Sequence, residues 1–243
     1  MPPKISIYND YTTLSQAAAN QVIALLRQKP TAVICLPSGS TPLGLFQELV
    51  AAHISGETDF TKCTFIGLDE WIGLGANDDG SCRDLLDKDF LLPIGFREDQ
   101  ITFFDGLAKD PQTECERVND AIAKAGGLDL IILGVGMNGH LALNEPGTAF
   151  DTYAHVSELD TITKEVGQKY FNQATELKLG ITVGIRHILE AKKAILIASG
   201  KAKAPVIQRA LSLPVTTDFP ASILQEHSDS EFILDKEAGE LLQ

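Results

Sequence analysis

The segment from Leu128 to Phe150 carries the side chains best suited to proton transfer in this sequence. The apolar residues Leu128 and Leu130–Leu133 are typical of a buried parallel strand, and three glycines follow them closely. Glycine permits a tight turn and a close approach of the backbone to a ligand. His140 and Glu145 come directly after this turn, so we predict a general acid–base pair at the end of a strand.

The same glycines, Gly134, Gly136 and Gly139, also fit the G-x-G-x-x-G pattern of dinucleotide-binding turns. That pattern should open a helix, and an acidic residue should follow about twenty residues later. Here it leads into Asn-Glu-Pro-Gly at 144–147, which is typical of a turn. The acid–base interpretation is therefore favoured over a dinucleotide site and over a glycine-rich loop with a purely structural histidine.

A loop with small hydroxylic residues, Ser38–Thr41, lies between a predicted strand and a predicted helix. Backbone N–H groups in such a loop form a site for an anion such as phosphate. The loop lacks the Gly-Lys-Ser/Thr of a P-loop, and a plain strand–helix turn is the alternative. Lys201 and Lys203 lie near a helix start, where the helix dipole disfavours cations, and this indicates a role in anion binding. Simple surface exposure is the alternative for Lys201.

Asp69 and Glu70 follow another strand-like segment, 63–68. Asp69 is therefore at the end of a second strand, where open α/β sheets bind their ligands. The neighbouring Glu70 is expected only to cap the element that follows.

Alternating strand-like and helical segments along the whole chain predict βαβ units. We expect an α/β fold with a doubly wound, mainly parallel, Rossmann-like sheet and helices on both faces, in one domain over residues 1–243. The predicted strands are 32–36, 63–68, 128–133, 181–183, 194–199 and 232–234. Thr12 or Thr13 is predicted to cap a helix that runs through Leu25–Arg27. Further helices are predicted to begin at Leu43, at Pro111 and near Lys203, and another ends at Glu190.

Composition excludes several classes of protein. A net charge of −13 argues against nucleic acid as a partner. The start, MPPKISIYND, lacks the apolar segment of a signal peptide, and no apolar stretch approaches bilayer length, so we expect a cytoplasmic protein without membrane association. The four cysteines have no metal-like spacing and fit reduced thiols. The sequence leaves open whether the protein is a monomer or a homo-oligomer.

Several segments resemble the amino-sugar-6-phosphate deaminase/isomerases. They are LPSGSTPLGL at 36–45, FIGLDEWIGL at 65–74, LGVGMNGHLALNEPGT at 133–148, GITVGIRHILEAKKAILIASGKAKA at 180–204 and DFPASIL at 218–224. The similarity covers nearly the whole chain. The LDEW motif, the Gly-Ser-Cys at 80–82 and TECERV followed by GGLDL look more like the galactosamine-6-phosphate members, which favours that substrate over glucosamine 6-phosphate.

The resemblance implies that a 2-amino-2-deoxyhexose 6-phosphate becomes a 2-ketohexose 6-phosphate with loss of ammonia, without a metal or organic cofactor. It implies that Asp69 moves the C2 proton to C1 through an enediol-type intermediate. It also implies that His140 opens the sugar ring, with Glu145 setting the charge and orientation of His140. Asn138 stands where some relatives have aspartate, and its amide oxygen is expected to accept a hydrogen bond from the imidazole.

The resemblance further implies a set of substrate-binding residues around a small phosphosugar. Lys169 falls where many relatives carry arginine, and a lysine holds phosphate as a point charge without bidentate geometry. The expected substrate-binding residues are Ser38, Gly39, Ser40, Thr41, Gly136, Lys169 and Lys203.

Two other functions compete with this one. A 6-phosphogluconolactonase-like hydrolase shares the fold and the glycine–histidine loop, but it typically has Asp-Glu-Arg where this chain has Asp69–Trp71, and it lacks the Asn-Glu-Pro-Gly turn. A non-catalytic sugar-phosphate-binding protein would be expected to lose Asp69, His140 or Glu145, and this chain keeps all three.

Overall fold

The computed structural model describes residues 2–242. The strands are β1 (Lys4–Tyr8), β2 (Val33–Leu36), β3 (Thr64–Gly67), β4 (Asp69–Trp71), β5 (Ile101–Thr102), β6 (Leu130–Leu133), β7 (His155–Glu158), β8 (Leu179–Thr182), β9 (Ala194–Ala198) and β10 (Ser230–Asp235). The helices are α1 (Tyr11–Gln28), α2 (Leu43–Ile54), α3 (Cys82–Leu86), α4 (Leu92–Ile94), α5 (Pro111–Lys124), α6 (Thr161–Gly167), α7 (Ile185–Glu190) and α8 (Ala204–Ser212). None of these helices is long and apolar enough to cross a bilayer.

Seven strands form one parallel sheet in the order β1-β10-β9-β6-β2-β3-β5. From β2 the chain adds β3 and β5 on one side, and it then returns to place β6 on the other side of β2. The direction of winding therefore reverses between β2 and β6. Such a reversal opens a crevice at the carboxyl ends of the strands, and ligands bind there in open α/β sheets.

Helices cover both faces of the parallel sheet, as predicted. Alternate residues of β2 face opposite sides, and Val33 and Cys35 pack in a core with α5, α7 and α8. Ile34 and Leu36 pack in a second core with α1 and α2. Because both faces are buried, the central strands are continuous apolar runs, and the predicted doubly wound α/β class is confirmed.

A second, antiparallel sheet of three short strands, in the order β4-β8-β7, lies beside the first. The predicted strand at 181–183 is β8, and it belongs to this sheet rather than to the parallel one. Its register places Asp69 opposite Thr182. Only Leu68 separates β3 from β4, which is far too short for the crossover that a parallel partner of β3 would need.

The start of α1 differs from the prediction. The cap is Asp10, whose carboxylate accepts a hydrogen bond from the backbone N–H of Thr13 at 2.9 Å. The Thr13 hydroxyl in turn accepts from the backbone N–H of Asp10 at 3.3 Å. The prediction of Thr12 or Thr13 as the cap is wrong because a charged acceptor that precedes both closes a capping box at the positive end of the helix.

Candidate active site

A cleft of about 940 Å³, its open mouth included, lies where β2, β3, β6 and β9 end, with α6 at its side. Most residues predicted from the sequence line this cleft, and the remaining three contact residues that do. The lining residues among them are Ser38, Ser40, Thr41, Asp69, Gly136, His140, Lys169 and Lys203, and the three behind are Gly39, Asn138 and Glu145.

In the turn after β6, the imidazole of His140 packs against the backbone of Gly136. The N–H of Gly136 donates to the His140 carbonyl at 3.0 Å, and a Cβ on Gly136 would lie 2.5 Å from both imidazole nitrogens. Gly139 has a φ of +87°, a left-handed conformation that favours glycine. The described chain forms no helix between residues 140 and 154, so the helix that a dinucleotide fingerprint requires does not follow these glycines.

Asn138 connects the backbone of this turn to Glu145. Its Oδ1 accepts a hydrogen bond from the backbone N–H of His140 at 3.2 Å, and its Nδ2 donates to Glu145 Oε2 at 2.7 Å. The prediction that Oδ1 accepts from the imidazole is therefore wrong. Asparagine commonly satisfies backbone groups of its own turn, and a residue two positions along is within easy reach.

Glu145 faces the imidazole of His140, with 3.5 Å between Oε2 and Nδ1. The Thr163 hydroxyl, on α6, lies closer, at 3.0 Å from Nδ1. Burial raises the pKa of Glu145, but hydrogen bonds from His140, Thr163 and Asn138 outweigh it and hold the pKa below its usual value. Glu145 is therefore a carboxylate at neutral pH and supports positive charge on His140.

Asp69, at the first position of β4, also lines the cleft, and it is 8% exposed. Burial raises its pKa from 3.8 to about 6, although a hydrogen bond from the Cys82 thiol and the charge of His140 act in the other direction. A carboxylate with such a pKa is ionised at neutral pH and still basic enough to accept a proton from a bound molecule.

Glu70 binds the N-terminus of α3 from outside, whereas the N-cap residue of that helix is Ser81. Its carboxylate accepts hydrogen bonds from the backbone N–H groups of Cys82 and Arg83, both at 2.9 Å, at the start of α3. It also accepts from the N–H of Trp71 at 2.8 Å. This fixes α3 against β4 and brings the Cys82 thiol to the Asp69 carboxylate.

The loop after β2 and the start of α2 form the anion end of the cleft. Tyr11 ties this loop to α1, because its hydroxyl donates to the Thr41 carbonyl at 2.9 Å and accepts from the N–H of Gly44 at 2.7 Å. Gly39, with a φ of +99°, lies under the Tyr170 hydroxyl. The loop thus presents Ser40 and neighbouring backbone groups at the N-terminus of a 12-residue helix.

Two lysines reach this end of the cleft. Lys169 Nζ donates to the Ser40 hydroxyl at 3.2 Å, and Lys203 Nζ donates to the Val135 carbonyl at 2.7 Å. Burial lowers the pKa of Lys203, and the nearby charge of Lys169 lowers it further. Two mutually repelling cations in one cleft favour a bound anion. Lys201, by contrast, is exposed and lies 3.7 Å from a Glu240 carboxylate oxygen on the surface.

The strand β8 and the residue after it bond to both segments that carry the proton-transfer residues. The Thr182 hydroxyl, fully buried, accepts from the N–H of Leu143 at 3.2 Å, in the turn between His140 and Glu145. One residue on, the N–H of Val183 donates to the Leu68 carbonyl at 3.0 Å, directly before Asp69. The turn that carries His140 and Glu145 and the residue before Asp69 are therefore tied to one short segment.

Sequence reasoning missed Thr163, Cys82, Tyr11 and Tyr170. Each comes from a separate segment with no fixed spacing to the motifs, and the family-like Gly-Ser-Cys at 80–82 was the one signal in the sequence that included Cys82. Within residues 2–242, no group of three or more His, Cys, Asp or Glu side chains is arranged to hold a metal ion.

The cleft combines a basic carboxylate, an imidazole–carboxylate pair and an anion site, so it can bind a phosphorylated molecule and move protons on it.

Comparison with known proteins points to one family. Residues 9–233 match the family described as glucosamine-6-phosphate isomerases/6-phosphogluconolactonase. The chain is 37% identical over 240 residues to a glucosamine-6-phosphate deaminase of Thermoanaerobacter sp. (strain X514), covering 98% of this chain and 95% of the relative. It is 40% identical over 220 residues to the putative deaminase AgaI of Escherichia coli (strain K12), covering 90% and 87%. A solved structure of a monomeric glucosamine-6-phosphate deaminase superposes with a TM-score of 0.95 at 34% identity, covering 98% of this chain and 99% of that one.

Proposed function

The chain belongs to the amino-sugar-6-phosphate deaminase/isomerase family, and we propose that this hexosamine-6-phosphate deaminase/isomerase converts glucosamine 6-phosphate and water into fructose 6-phosphate and ammonia. The observation that carries the proposal is one cleft lined by both Asp69 and His140, beside the loop Ser38–Thr41. Of the relatives above, those whose names state a substrate name glucosamine 6-phosphate. The galactosamine preference inferred from short motifs stands as the competing expectation.

The phosphate binds first in this scheme. The loop Ser38–Thr41 offers hydroxyls and backbone N–H groups, and Lys169 and Lys203 supply the opposing charge. A chain with a net charge of −13 can attract an anion only where cations and amide dipoles are concentrated locally. The phosphate therefore fixes the sugar by one end and leaves its C1–C2 end for Asp69 and His140.

His140 opens the pyranose ring. One imidazole nitrogen removes the proton of the anomeric hydroxyl at O1 and delivers it to the ring oxygen O5 as the C1–O5 bond breaks. The imidazolium that forms between these two transfers is stabilised by Glu145, which is ionised at neutral pH. The product of this step is the open-chain amino aldehyde.

Asp69 then carries out the isomerisation. Its carboxylate removes the proton from C2, which the aldehyde acidifies, and returns it at C1, while one proton passes from the amino nitrogen to O1. This leaves a ketimine at C2, and addition of water followed by loss of ammonia gives the 2-ketose 6-phosphate. The pKa of about 6 at Asp69 suits both directions of proton transfer near neutral pH.

The test is ammonia release from glucosamine 6-phosphate and galactosamine 6-phosphate assayed side by side, with Asp69→Asn as the control. We expect turnover of both epimers to depend on Asp69, with a higher kcat/KM for glucosamine 6-phosphate. Because an epimer differs by one hydroxyl, a site that bonds this hydroxyl can discriminate strongly. A higher kcat/KM for the galacto epimer would overturn the substrate assignment and leave the family assignment intact.

A third assay, hydrolysis of 6-phosphogluconolactone, tests the hydrolase alternative. Trp71 and the turn at 144–147 differ from the lactonase pattern, so hydrolysis of the lactone should not exceed its spontaneous rate. Lactone hydrolysis that depends on His140, without ammonia release from either amino sugar, would replace the proposed function. Binding of the sugars without any turnover would instead indicate a sugar-phosphate-binding protein.

A further inference from the structure

Tyr170 lies beside the anion loop Ser38–Thr41 and has no part in the proposed proton transfers. Its side chain lines the cleft and is half-buried. A Cβ on Gly39 would lie 2.5 Å from the Tyr170 hydroxyl oxygen and 3.1 Å from the ring carbon that bears it. The hydroxyl therefore reaches the backbone of the anion loop, and a glycine at position 39 leaves it the room to do so.

The backbone of Tyr170 packs against a second loop, the one that precedes α3. A Cβ on Gly80 would lie 2.5 Å from the Tyr170 carbonyl oxygen, and Gly80 has a φ of +86°. Two residues along the chain, the Asn172 side-chain amide donates a hydrogen bond to the Asp79 carboxylate. Gly80 thus allows the close approach of the Tyr170 backbone, and Gly39 allows that of its hydroxyl, so the residue is located at both ends.

The aromatic ring of Tyr170 lies against a cation of the same site. Lys169 Nζ is 4.8 Å from the centre of this ring, within the range of a cation–π interaction, and 3.2 Å from the Ser40 hydroxyl oxygen. A lysine attracts phosphate as a point charge and offers no rigid fork of donors. A hydrogen-bond donor of defined position beside Lys169 would add direction to that charge.

The Tyr170 hydroxyl is available for this role. Within residues 2–242 no protein group forms a hydrogen bond with it, whereas the hydroxyls of Tyr11 and Tyr153 both have partners. A phenolic hydroxyl can donate one hydrogen bond, and bonds to an ionised acceptor such as phosphate are about twice as strong as neutral ones.

We propose that Tyr170 is a further phosphate-binding residue. Its hydroxyl donates a hydrogen bond to the phosphate on the anion loop, and its ring holds the Lys169 ammonium beside that phosphate. The inference rests on the proposed function in so far as the phosphate belongs to a hexosamine 6-phosphate.

Removal of the hydroxyl alone tests the contact. Tyr170→Phe keeps the ring over Lys169, and Tyr153→Phe is the matched control, because Tyr153 is 43% exposed and its hydroxyl bonds Glu190 away from the cleft lining. Inorganic phosphate is titrated into the parent and both variants by calorimetry. We expect Tyr170→Phe to weaken phosphate binding about tenfold or more, since hydrogen bonds to charged groups contribute on this scale. Tyr153→Phe should leave the affinity within about twofold of the parent.

A second substitution separates the ring from the hydroxyl. Tyr170→Leu removes both, so phosphate binding should weaken by a further factor of about two to five as the cation–π contact is lost. With glucosamine 6-phosphate as substrate, Tyr170→Phe should raise KM in parallel with the phosphate dissociation constant and leave kcat within about threefold. Circular dichroism and thermal unfolding establish that each variant is folded, and loss of a hydroxyl without a protein partner should leave the unfolding temperature unchanged.

The outcomes decide the residue and the function separately. Equal phosphate affinity in the parent and folded Tyr170→Phe would overturn the hydroxyl contact, and so would a loss of kcat at unchanged phosphate affinity. Equal affinity in Tyr170→Phe and Tyr170→Leu would overturn the part assigned to the ring. A parent that does not bind inorganic phosphate would refute the anion site and the inference with it. If the parent binds phosphate but releases ammonia from neither amino sugar, the proposed function fails, yet the titrations still decide whether Tyr170 binds phosphate.

Discussion

Replacing Asp69 with asparagine should make the protein inactive and, at neutral pH, more stable. Its carboxyl is 8% exposed, and burial raises its pKa from 3.8 to about 6. A raised pKa means that the folded state favours the protonated form. The stabilising contribution of this group is therefore complete below the unfolded pKa and is lost as the pH rises through about 6. Asparagine has nearly the same shape and never takes on the buried negative charge.

The size of the effect follows from the shift. A change from 3.8 to about 6 corresponds to about 3 kcal/mol, at about 1.4 kcal/mol per pH unit. Asp69→Asn should therefore raise the free energy of unfolding by up to about 3 kcal/mol at about pH 8, and by less than about 1 kcal/mol at about pH 4. Turnover should fall by about two to four orders of magnitude, because an amide cannot accept the C2 proton.

Urea unfolding followed by circular dichroism over this pH range measures the stability difference directly. Asp120→Asn on α5, where the carboxylate is 72% exposed, is the control and should show no comparable pH-dependent gain. A gain for Asp69→Asn that is the same at every pH, or a variant less stable than the parent at about pH 8, would refute the reasoning. Either result would mean that the Asp69 carboxylate is not desolvated in the folded protein.

Three further variants test the surroundings of the cleft. Cys82→Ala removes a thiol hydrogen bond that opposes the raised pKa of Asp69, so the acid limb of the kcat/KM profile should move to higher pH; an unmoved limb would contradict the contact. Asn138→Asp places a second carboxylate at the 2.7 Å contact with Glu145, and repulsion should raise the pKa of one of the two and lower kcat at neutral pH. A pH–rate curve that superimposes on that of the parent would argue against it. Lys203→Met should raise KM for the phosphosugar about tenfold or more, with a smaller change in kcat, in initial-rate measurements.

The parallel sheet was predictable because its central strands are buried on both faces. Runs such as Leu130–Leu133 are apolar throughout and need no alternation to be recognised. The small antiparallel sheet was not, because Asp69–Trp71 begins with two acidic residues and becomes a strand only through its pairing with β8. The edge strand Lys4–Tyr8 is half exposed, and its mixed pattern gives no comparable signal.

The site was predictable where its residues follow directly on strand ends. His140 and Asp69 come from two such turns, and the parallel sheet brings the turns together. Thr163 lies 23 residues from His140 and reaches it only through the packing of α6. The direction of the Asn138 side chain was likewise beyond sequence reasoning, since the competition between backbone and imidazole as its partner depends on the local turn.

The hydrogen bonds of Thr182 and Val183 have a consequence for which positions of the cleft can accept amino-acid substitutions. Thr182 and Val183 tie the turn of His140 and Glu145 to the residue before Asp69, and Ile162 and Val166 take no part in these two hydrogen bonds. These two apolar side chains line the cleft and are 42% and 45% exposed, so they tolerate replacement better than the core does. Mutational libraries confined to these two positions would vary the surface of the cleft without replacing Asp69, His140 or Glu145. Because Thr163 lies between these two positions and contacts His140 Nδ1, any such change must leave the backbone of α6 in place.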